Sequence, residues 1–352
     1  MTVNIEIPFL DDNELPFISI VMPIRNEMSY IKRSLGAVLN ADYPKNKIEI
    51  VIADGMSTDD TRSICTTLLA GRENTRIIDN PDKIVSTGLN KAIMDSTGEI
   101  IIRVDGHCVI SKDYFTKCVH YLLTQPVMGV GGPMKTIGET RIAETIALAM
   151  SSKFGVGGSA FRTIKNKTMF VDTIPFPAYW RKDILKIGLF DEELVRNQDD
   201  EYNFRIREKG GKLLMAADIK STYYSRASLK KLWKQYYQYG FYKVRVMQKH
   251  WKQMHLRHFI PSVFVLSLFF SLLLGLFWKP GWVLFTGLGG SYILVNLIAS
   301  FQLSYQAGWS HLYLLPVVFF ILHISYGMGM LAGLFKFRKF WEKMYQSKRV
   351  EK

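Results

Sequence analysis

Ile48-Glu49-Ile50-Val51-Ile52-Ala53-Asp54-Gly55-Met56-Ser57-Thr58-Asp59-Asp60-Thr61 is the stretch on which the fold turns. Its first six residues are mostly β-branched and apolar, the composition of a strand buried on both faces. An acid, a glycine and hydroxyl residues follow, and helical spacing then runs over residues 59–70. The same arrangement recurs on both sides. Residues 17–22 lead into Pro23, Arg25, Asn26 and Glu27; residues 76–78 into Asp79, Asn80 and Pro81; residues 99–104 into Asp105, Gly106 and His107. Residues 27–40 and 86–95 carry the intervening helical patterns. Strands alternating with helices at this interval predict βαβ units, an α/β chain with a mostly parallel sheet. Ser57 with Asp60 three residues on predicts a capping box for the second helix.

Further along, residues 127–135 read as one more strand and residues 141–150 as an amphipathic helix. Residues 154–167, with Gly155, Gly157 and Gly158 and few apolar anchors, read as a mobile loop, and residues 199–209 as a helix stopped by Gly210 and Gly211. The chain has 352 residues, enough for about two domains. Three cysteines at 65, 108 and 118 form neither a paired disulfide framework nor a zinc spacing, which argues for a reducing compartment. A composition 48% hydrophobic and 13% aromatic excludes disorder.

The net charge of +14 is confined to the last third: from Leu229 onward there are 16 Lys and Arg and two acids, whereas the first 228 residues are balanced. Between Phe259 and Phe335 the only charge is Lys279. Apolar segments at 259–278, 281–303 and 312–335 each have the length needed to cross a bilayer, with basic flanks. Basic charge abutting apolar spans points to a membrane protein and away from nucleic acid. Residues 229–258 mix Trp233, Tyr236, Tyr237, Tyr239, Phe241, Tyr242 and Trp251 with eight Lys or Arg and no acid, which predicts an amphipathic helix in the membrane interface, with polyanion binding as the alternative. The expected division is therefore 1–228 an α/β domain, 229–258 an amphipathic interfacial helix, 259–335 a membrane region with two or three helices, and 336–352 a basic tail. The acidic start of the chain does not read as a signal peptide, which places residues 1–228 in the cytoplasm. Three crossings would put the tail, with seven basic residues, outside, against the positive-inside tendency; one re-entrant segment would keep it inside.

In a parallel sheet, ligands bind at the carboxyl ends of the strands. That edge collects Glu27, Asp54, Asp79 and Asp105, a clustering of carboxylates that is costly unless a cation or ligand NH groups offset it. Asp105 and His107, two apart on a turn, can face one divalent ion, and Gly106 between them would let a diphosphate approach the backbone. The plainer reading is a turn with a surface histidine. Asp54 and Glu27 read either as helix-start acids or as acceptors for ribose hydroxyls or a base NH. Gln198-Asp199-Asp200-Glu201 is more acidic than capping needs, and one of its carboxylates suits a general base.

Taken together these motifs resemble the inverting family 2 glycosyltransferases of GT-A (Rossmann-like) fold, over about residues 17–253. Ile20-Val21-Met22-Pro23-Ile24-Arg25-Asn26-Glu27, Asp54 through Thr61, Asp105-Gly106-His107 at the DxD position, and Gln198-Asp199-Asp200-Glu201 with Arg205 fall in the family's order. Ser86-Thr87-Gly88-Leu89-Asn90, Arg103-Val104-Asp105-Gly106-His107, Val130-Gly131-Gly132-Pro133 and Gln235-Tyr236-Tyr237-Gln238-Tyr239-Gly240 resemble the glucosyltransferases of succinoglycan biosynthesis. The resemblance implies a membrane-bound enzyme that moves a sugar, a hexose such as glucose, from a UDP-sugar to a polyprenyl-diphosphate-linked oligosaccharide, with Mn2+ or Mg2+. It implies Pro23, Arg25, Glu27, Asp54, Asp79, Asn90 and Asp105 for the donor, Asp105 and His107 for the metal, and Asp199 as the base. For the acceptor or gating it implies Asp200, Arg226, Gln235, Gln238 and Tyr239. The setting implied is integral to the cytoplasmic (inner) membrane, catalytic domain toward the cytoplasm, with oligomeric state open. The alternatives are a polyprenyl-phosphate hexosyltransferase and a non-catalytic nucleotide-binding membrane adaptor. His107 departs from the second DxD carboxylate, and Gln235-x-x-Gln238-Tyr239 lacks the Arg and Trp of processive synthases.

Overall fold

The computed structural model describes residues 14–225 and 227–339. Arg226 and the tail beyond Lys339 lie outside the described residues.

The chain runs β1 (Ile18–Ile24), α1 (Ile31–Leu39), β2 (Ile48–Asp54), α2 (Thr61–Leu69), β3 (Thr75–Asp79), α3 (Val85–Asp95), β4 (Ile100–Arg103), β5 (Cys108–Ile110), α4 (Tyr114–Thr124), β6 (Gly129–Gly131), β7 (Met134–Ile137), α5 (Arg141–Met150), α6 (Lys153–Val156) and α7 (Ala160–Thr163). It continues β8 (Met169–Phe170), β9 (Ala178–Trp180), α8 (Arg181–Ile187), α9 (Gln198–Glu208), β10 (Leu213–Met215), β11 (Ser221–Tyr224), α10 (Leu229–Lys249), α11 (Ile260–Phe277), α12 (Lys279–Ala307) and α13 (Leu315–Lys336).

Two compact units result among the described residues: 14–135 with 160–224, and 136–159 with 225 and 227–339. This corrects the expected linear division. A 24-residue piece from the middle of the chain belongs with the C-terminal helices, because the apolar face of α5 finds its partners there.

In the first unit, an eight-stranded sheet has the order β3-β2-β1-β4-β9-β6-β10-β8. β1 to β4 are parallel, as expected, and β9 runs antiparallel between β4 and β6. β1 and β2 are buried at every position, which is why they carry unbroken β-branched runs rather than alternation. One core layer packs β1, β2 and β4 against α1 and α4 through Ile20, Met22, Ile31, Leu35, Tyr114 and Phe115, and the other packs Val21, Val51 and Ile101 against Leu89 and Ile93 of α3. At the amino edge, Ser19 and the backbone of Thr97 and Gly98 hold the buried Glu49 carboxylate. The strand expected at 127–135 is two short strands, β6 and β7, interrupted at Gly132-Pro133. Any side chain at Gly132 would meet the Ile219 carbonyl at 1.8 Å.

In the second unit, α5 turns Ile146, Ala149 and Met150 onto Leu232 and Tyr236 of α10 and Val318, Phe319 and Leu322 of α13. Residues 154–167, expected as a loop with few anchors, begin instead with a firm one: Phe154 stands edge-on to Phe319 at 4.9 Å, and its carbonyl accepts from His323 Nε2 at 2.8 Å. Among the described residues three helices, α11, α12 and α13, are long and apolar enough to cross a membrane. Less than a fifth of the apolar stretch of α11 and of α12 is covered, but more than half of that of α13 is. α10 covers it. Far from lying alone at a surface, α10 runs along α13 at glycine distance: a Cβ on Gly240 would fall 2.0 Å from the Tyr326 carbonyl, and one on Gly329 2.0 Å from that of Tyr237. The helix also ends at Lys249, short of the expected 258, and gives way to two short turns.

Candidate active site

The register of the parallel strands lines up Ile24, Asp54 and Asp79 across the sheet, so the acids at the ends of β2 and β3 stand side by side, next to the β1 turn that carries Arg25, Asn26 and Glu27. The following loops are laced together. Asn26 N–H donates to Ser57 Oγ at 3.0 Å, Thr58 N–H to Asn26 Oδ1 at 2.9 Å, Glu27 N–H to Thr61 Oγ1 at 2.8 Å and Met28 N–H to Asp59 at 3.3 Å. Much of the Asp54–Thr61 motif therefore builds the loop rather than facing a ligand. The expected capping box is absent for this reason: Ser57 Oγ donates to Asp54 Oδ1 at 2.6 Å, and the Asp60 side chain caps nothing. Asn26 and Met56 are held at positive φ (53° and 55°), a conformation that non-glycine residues keep only where surrounding bonds impose it.

Asp54 is buried, its second oxygen paired with Arg62 at 3.1 Å; the same guanidinium reaches the exposed Asp79 at 2.6 Å. Arg62 was not foreseen, since a helical surface arginine eight residues after an acid gives no distinguishing pattern. Pro23 is buried one residue before the end of β1, and the exposed Arg25 lies over Gly55, where a Cβ would be 3.1 Å from the Arg25 Cβ. Asn90, expected among the donor contacts, is engaged within the protein: it donates to the Phe190 carbonyl and to Glu192 at 2.8 Å each and accepts from Phe190 N–H at 2.9 Å. Ser86 donates to the Leu194 carbonyl. This α3 motif thus clamps the segment that leads into α9.

At the end of β4, Arg103 grips Asp105 through two hydrogen bonds of 2.7 and 3.0 Å. Burial alone would raise the Asp105 carboxyl, yet Arg103, with smaller help from His107 and Arg196, holds it below the usual range. His107 Nδ1 lies 2.8 Å from Glu27 Oε1, so Glu27 faces the histidine rather than the Asp54–Asp79 pair. Gly106 serves that contact: a Cβ there would come within 2.8 Å of Glu27 Cγ. In the sequence Arg103 stands only as part of a motif; the signal for its role is a cation ending a buried strand two residues before an acid.

α9 opens at Asn197, held in the left-handed conformation (φ 62°). Asp199 and Asp200 sit in its first turn, and Asp200 N–H donates to Asp199 Oδ1 at 3.1 Å. Burial and then the Asp200 charge push the Asp199 carboxyl above its ordinary range, against the pull of Arg103. Asp105 also acts on Asp199, so the β4 turn and the α9 start share one electrostatic neighbourhood. Glu201 is excluded from it, forked onto Arg205 at 3.0 and 2.7 Å. Gln198 is buried with an amide oxygen that has no partner. Gln235, Gln238 and Tyr239 lie on α10 in the second unit, where Gln235 donates to Tyr239 Oη at 2.8 Å; Arg226 is outside the described residues.

No three His, Cys, Asp or Glu residues among those described converge as a self-sufficient metal cage. Asp105 and His107 still fit a divalent ion that a diphosphate helps to hold. Each Asp105 oxygen gives one lone pair to Arg103 and keeps another, and His107, engaged at Nδ1, keeps Nε2 for coordination.

Residues 19–186 match the model of the family described as glycosyl transferase family 2. The chain is 30% identical over 328 residues, 91% of its own length and 98% of the relative's, to the dolichyl N-acetyl-alpha-D-glucosaminyl phosphate 3-beta-D-2,3-diacetamido-2,3-dideoxy-beta-D-glucuronosyltransferase of Methanococcus voltae. It is 31% identical over 245 residues, 69% of its length and 73% of the relative's, to the succinoglycan biosynthesis protein ExoA of Rhizobium meliloti. Its fold is shared with the mannosyltransferase PcManGT from Pyrobaculum calidifontis, solved with GDP-Man and Mn2+, at a TM-score of 0.58 and 15% identity over 91% of this chain and 88% of that one.

Proposed function

The chain belongs to glycosyltransferase family 2, and from that membership we propose an inverting, metal-dependent transfer of a hexose from a UDP-sugar to a saccharide already carried on a polyprenyl lipid. The observation that carries the reading is the meeting of the β4 turn, with Asp105 and His107, and the half-buried Asp199 at the start of α9. Asp54 and Asp79, bridged by Arg62, would take the nucleoside, with Pro23 and Arg25 beside them. Asp105 and His107 would hold the divalent ion on the diphosphate. When bound, that ion supplies Lewis-acid stabilisation of the charge on the leaving group.

Asp199 takes the proton of the acceptor hydroxyl as its oxygen bonds to the anomeric carbon. The bond from that carbon to the diphosphate oxygen breaks, and the electron pair leaves with the nucleoside diphosphate. Burial beside Asp200 makes Asp199 a stronger base than an ordinary aspartate. The membrane unit keeps the enzyme at the bilayer where a lipid-linked acceptor resides, and the catalytic unit faces the cytoplasm, where nucleotide sugars are made. A saccharide acceptor is favoured over the bare lipid phosphate because the Methanococcus relative, which spans nearly the same length, is named for transfer onto a lipid-linked sugar.

The test is UDP release by the detergent-purified full chain with UDP-glucose and other UDP-sugars, membrane lipid extract and Mn2+ or Mg2+. Turnover abolished by EDTA, and reduced about 100- to 10,000-fold by Asp199→Asn, is the expected result. Undiminished turnover in the variant would remove Asp199 from the chemistry.

A further inference from the structure

Glu27 follows β1 and precedes α1, 80 residues from His107 in sequence, yet its carboxylate is directed onto that histidine. The contact is Glu27 Oε1 to His107 Nδ1 at 2.8 Å, with both side chains largely shielded (15% and 14% exposed). The surroundings are built for it. Glu27 N–H donates to Thr61, and its carbonyl accepts from Tyr30 and Ile31, so the residue is fixed at its backbone. Tyr223 stands edge-on to the imidazole at 5.0 Å, and the His107 carbonyl accepts from Tyr224. Between the partners lies Gly106, where the smallest side chain would strike Glu27 Cγ. A surface turn that happened to contain a histidine would need none of this.

We propose that Glu27 is a positioning residue for the metal site, accepting the Nδ1 proton of His107 so that the Nε2 lone pair is presented to the divalent ion. The inference rests on the metal reading above and deepens it. It also accounts for the departure at position 107. A carboxylate there needs no orienting partner, but a neutral imidazole has two tautomers, of which only one offers Nε2. A carboxylate accepting from the far nitrogen of a ligating histidine selects that tautomer, fixes the ring and raises its basicity, and loss of such a partner lowers metal affinity about 10- to 100-fold. Gly106 gives the Glu27 side chain the room that this contact needs.

Mn2+ binding to the full-length protein in detergent, read from the electron paramagnetic resonance of free Mn2+ in the presence of UDP, tests this in a double-mutant cycle. Glu27→Gln is expected to weaken Mn2+ binding about 10- to 100-fold while leaving metal-free UDP binding within about twofold. In a His107→Asp background, where there is no ring to orient, Glu27→Gln should cost nothing. Gly106→Ala, which keeps the carboxylate but displaces it, should weaken Mn2+ in the same direction and so separates positioning from loss of charge or of folding. Unchanged Mn2+ affinity in Glu27→Gln, or an equal loss in the His107→Asp background, overturns the role of Glu27 and leaves the metal site standing. A fall in metal-free UDP affinity as large as that for Mn2+ would make Glu27 a nucleotide contact instead. Wild-type protein that binds UDP but no Mn2+ would overturn the metal reading itself, and the role of Glu27 with it.

Discussion

Asp199 is the residue whose environment most differs from what its neighbours in sequence announce. Four polar residues in a row look equally exposed on paper, but folding buries Gln198 and Glu201, commits Glu201 to Arg205, and leaves Asp199 with a carboxyl raised by burial and by Asp200. A base works in its ionised form, so raising its affinity for the proton moves the acid limb of the rate profile upward. The kcat/KM of the transferase is therefore expected to fall with decreasing pH at a value above the ordinary aspartate value of about 3.9. Asp200→Asn removes the repelling charge and should shift that limb to lower pH; a limb that stays put would show that another group sets it.

At the scale of elements, the α10–α13 pair of the second unit leaves no room for added side chains. Its helices approach through Gly240, Gly329 and Gly333, with carbonyls of the opposite helix occupying the space a side chain would need. Gly329→Val is expected to cost about 1–3 kcal/mol, the range for overpacking, seen as a lowered unfolding temperature in detergent. Gly287→Val on α12, where nothing lies within 4 Å of the added carbon, is the control and should leave the unfolding temperature almost unchanged. The clamp that α3 places on residues 190–194 is the counterpart in the first unit, since Ser86 and Asn90 hold the chain just ahead of Asn197.

For the whole molecule, the interleaving of the two units changes what a soluble fragment can be. A chain cut after residue 228, the boundary that composition suggests, would keep α5 and α6 but lose Leu232, Tyr236, Val318 and Phe319, on which Ile146, Met150 and Phe154 pack. Such a fragment is expected to aggregate on gel filtration. Replacing residues 136–159 by a short polar linker in the same fragment should restore a monodisperse peak, and failure to do so would show that this segment is not what makes the fragment insoluble. The full chain, with α11 and α12 exposing apolar side chains along their length, is expected to remain in the membrane fraction through alkaline extraction.

The sequence by itself determined the parallel βαβ half of the sheet, the acids at its carboxyl edge and the apolar helices near the C-terminus. Each depends on a local period or on the residues that directly follow a strand, and these are written along the chain. Tertiary structure alone decided which acids remain available. Arg62 across Asp54 and Asp79, Arg103 on Asp105, and Glu27 on His107 are pairings in which side-chain direction, not spacing, selects the partner. It likewise decided that residues 136–159 join the membrane helices, because an apolar face does not specify, until the chain has folded, which of several apolar faces will cover it.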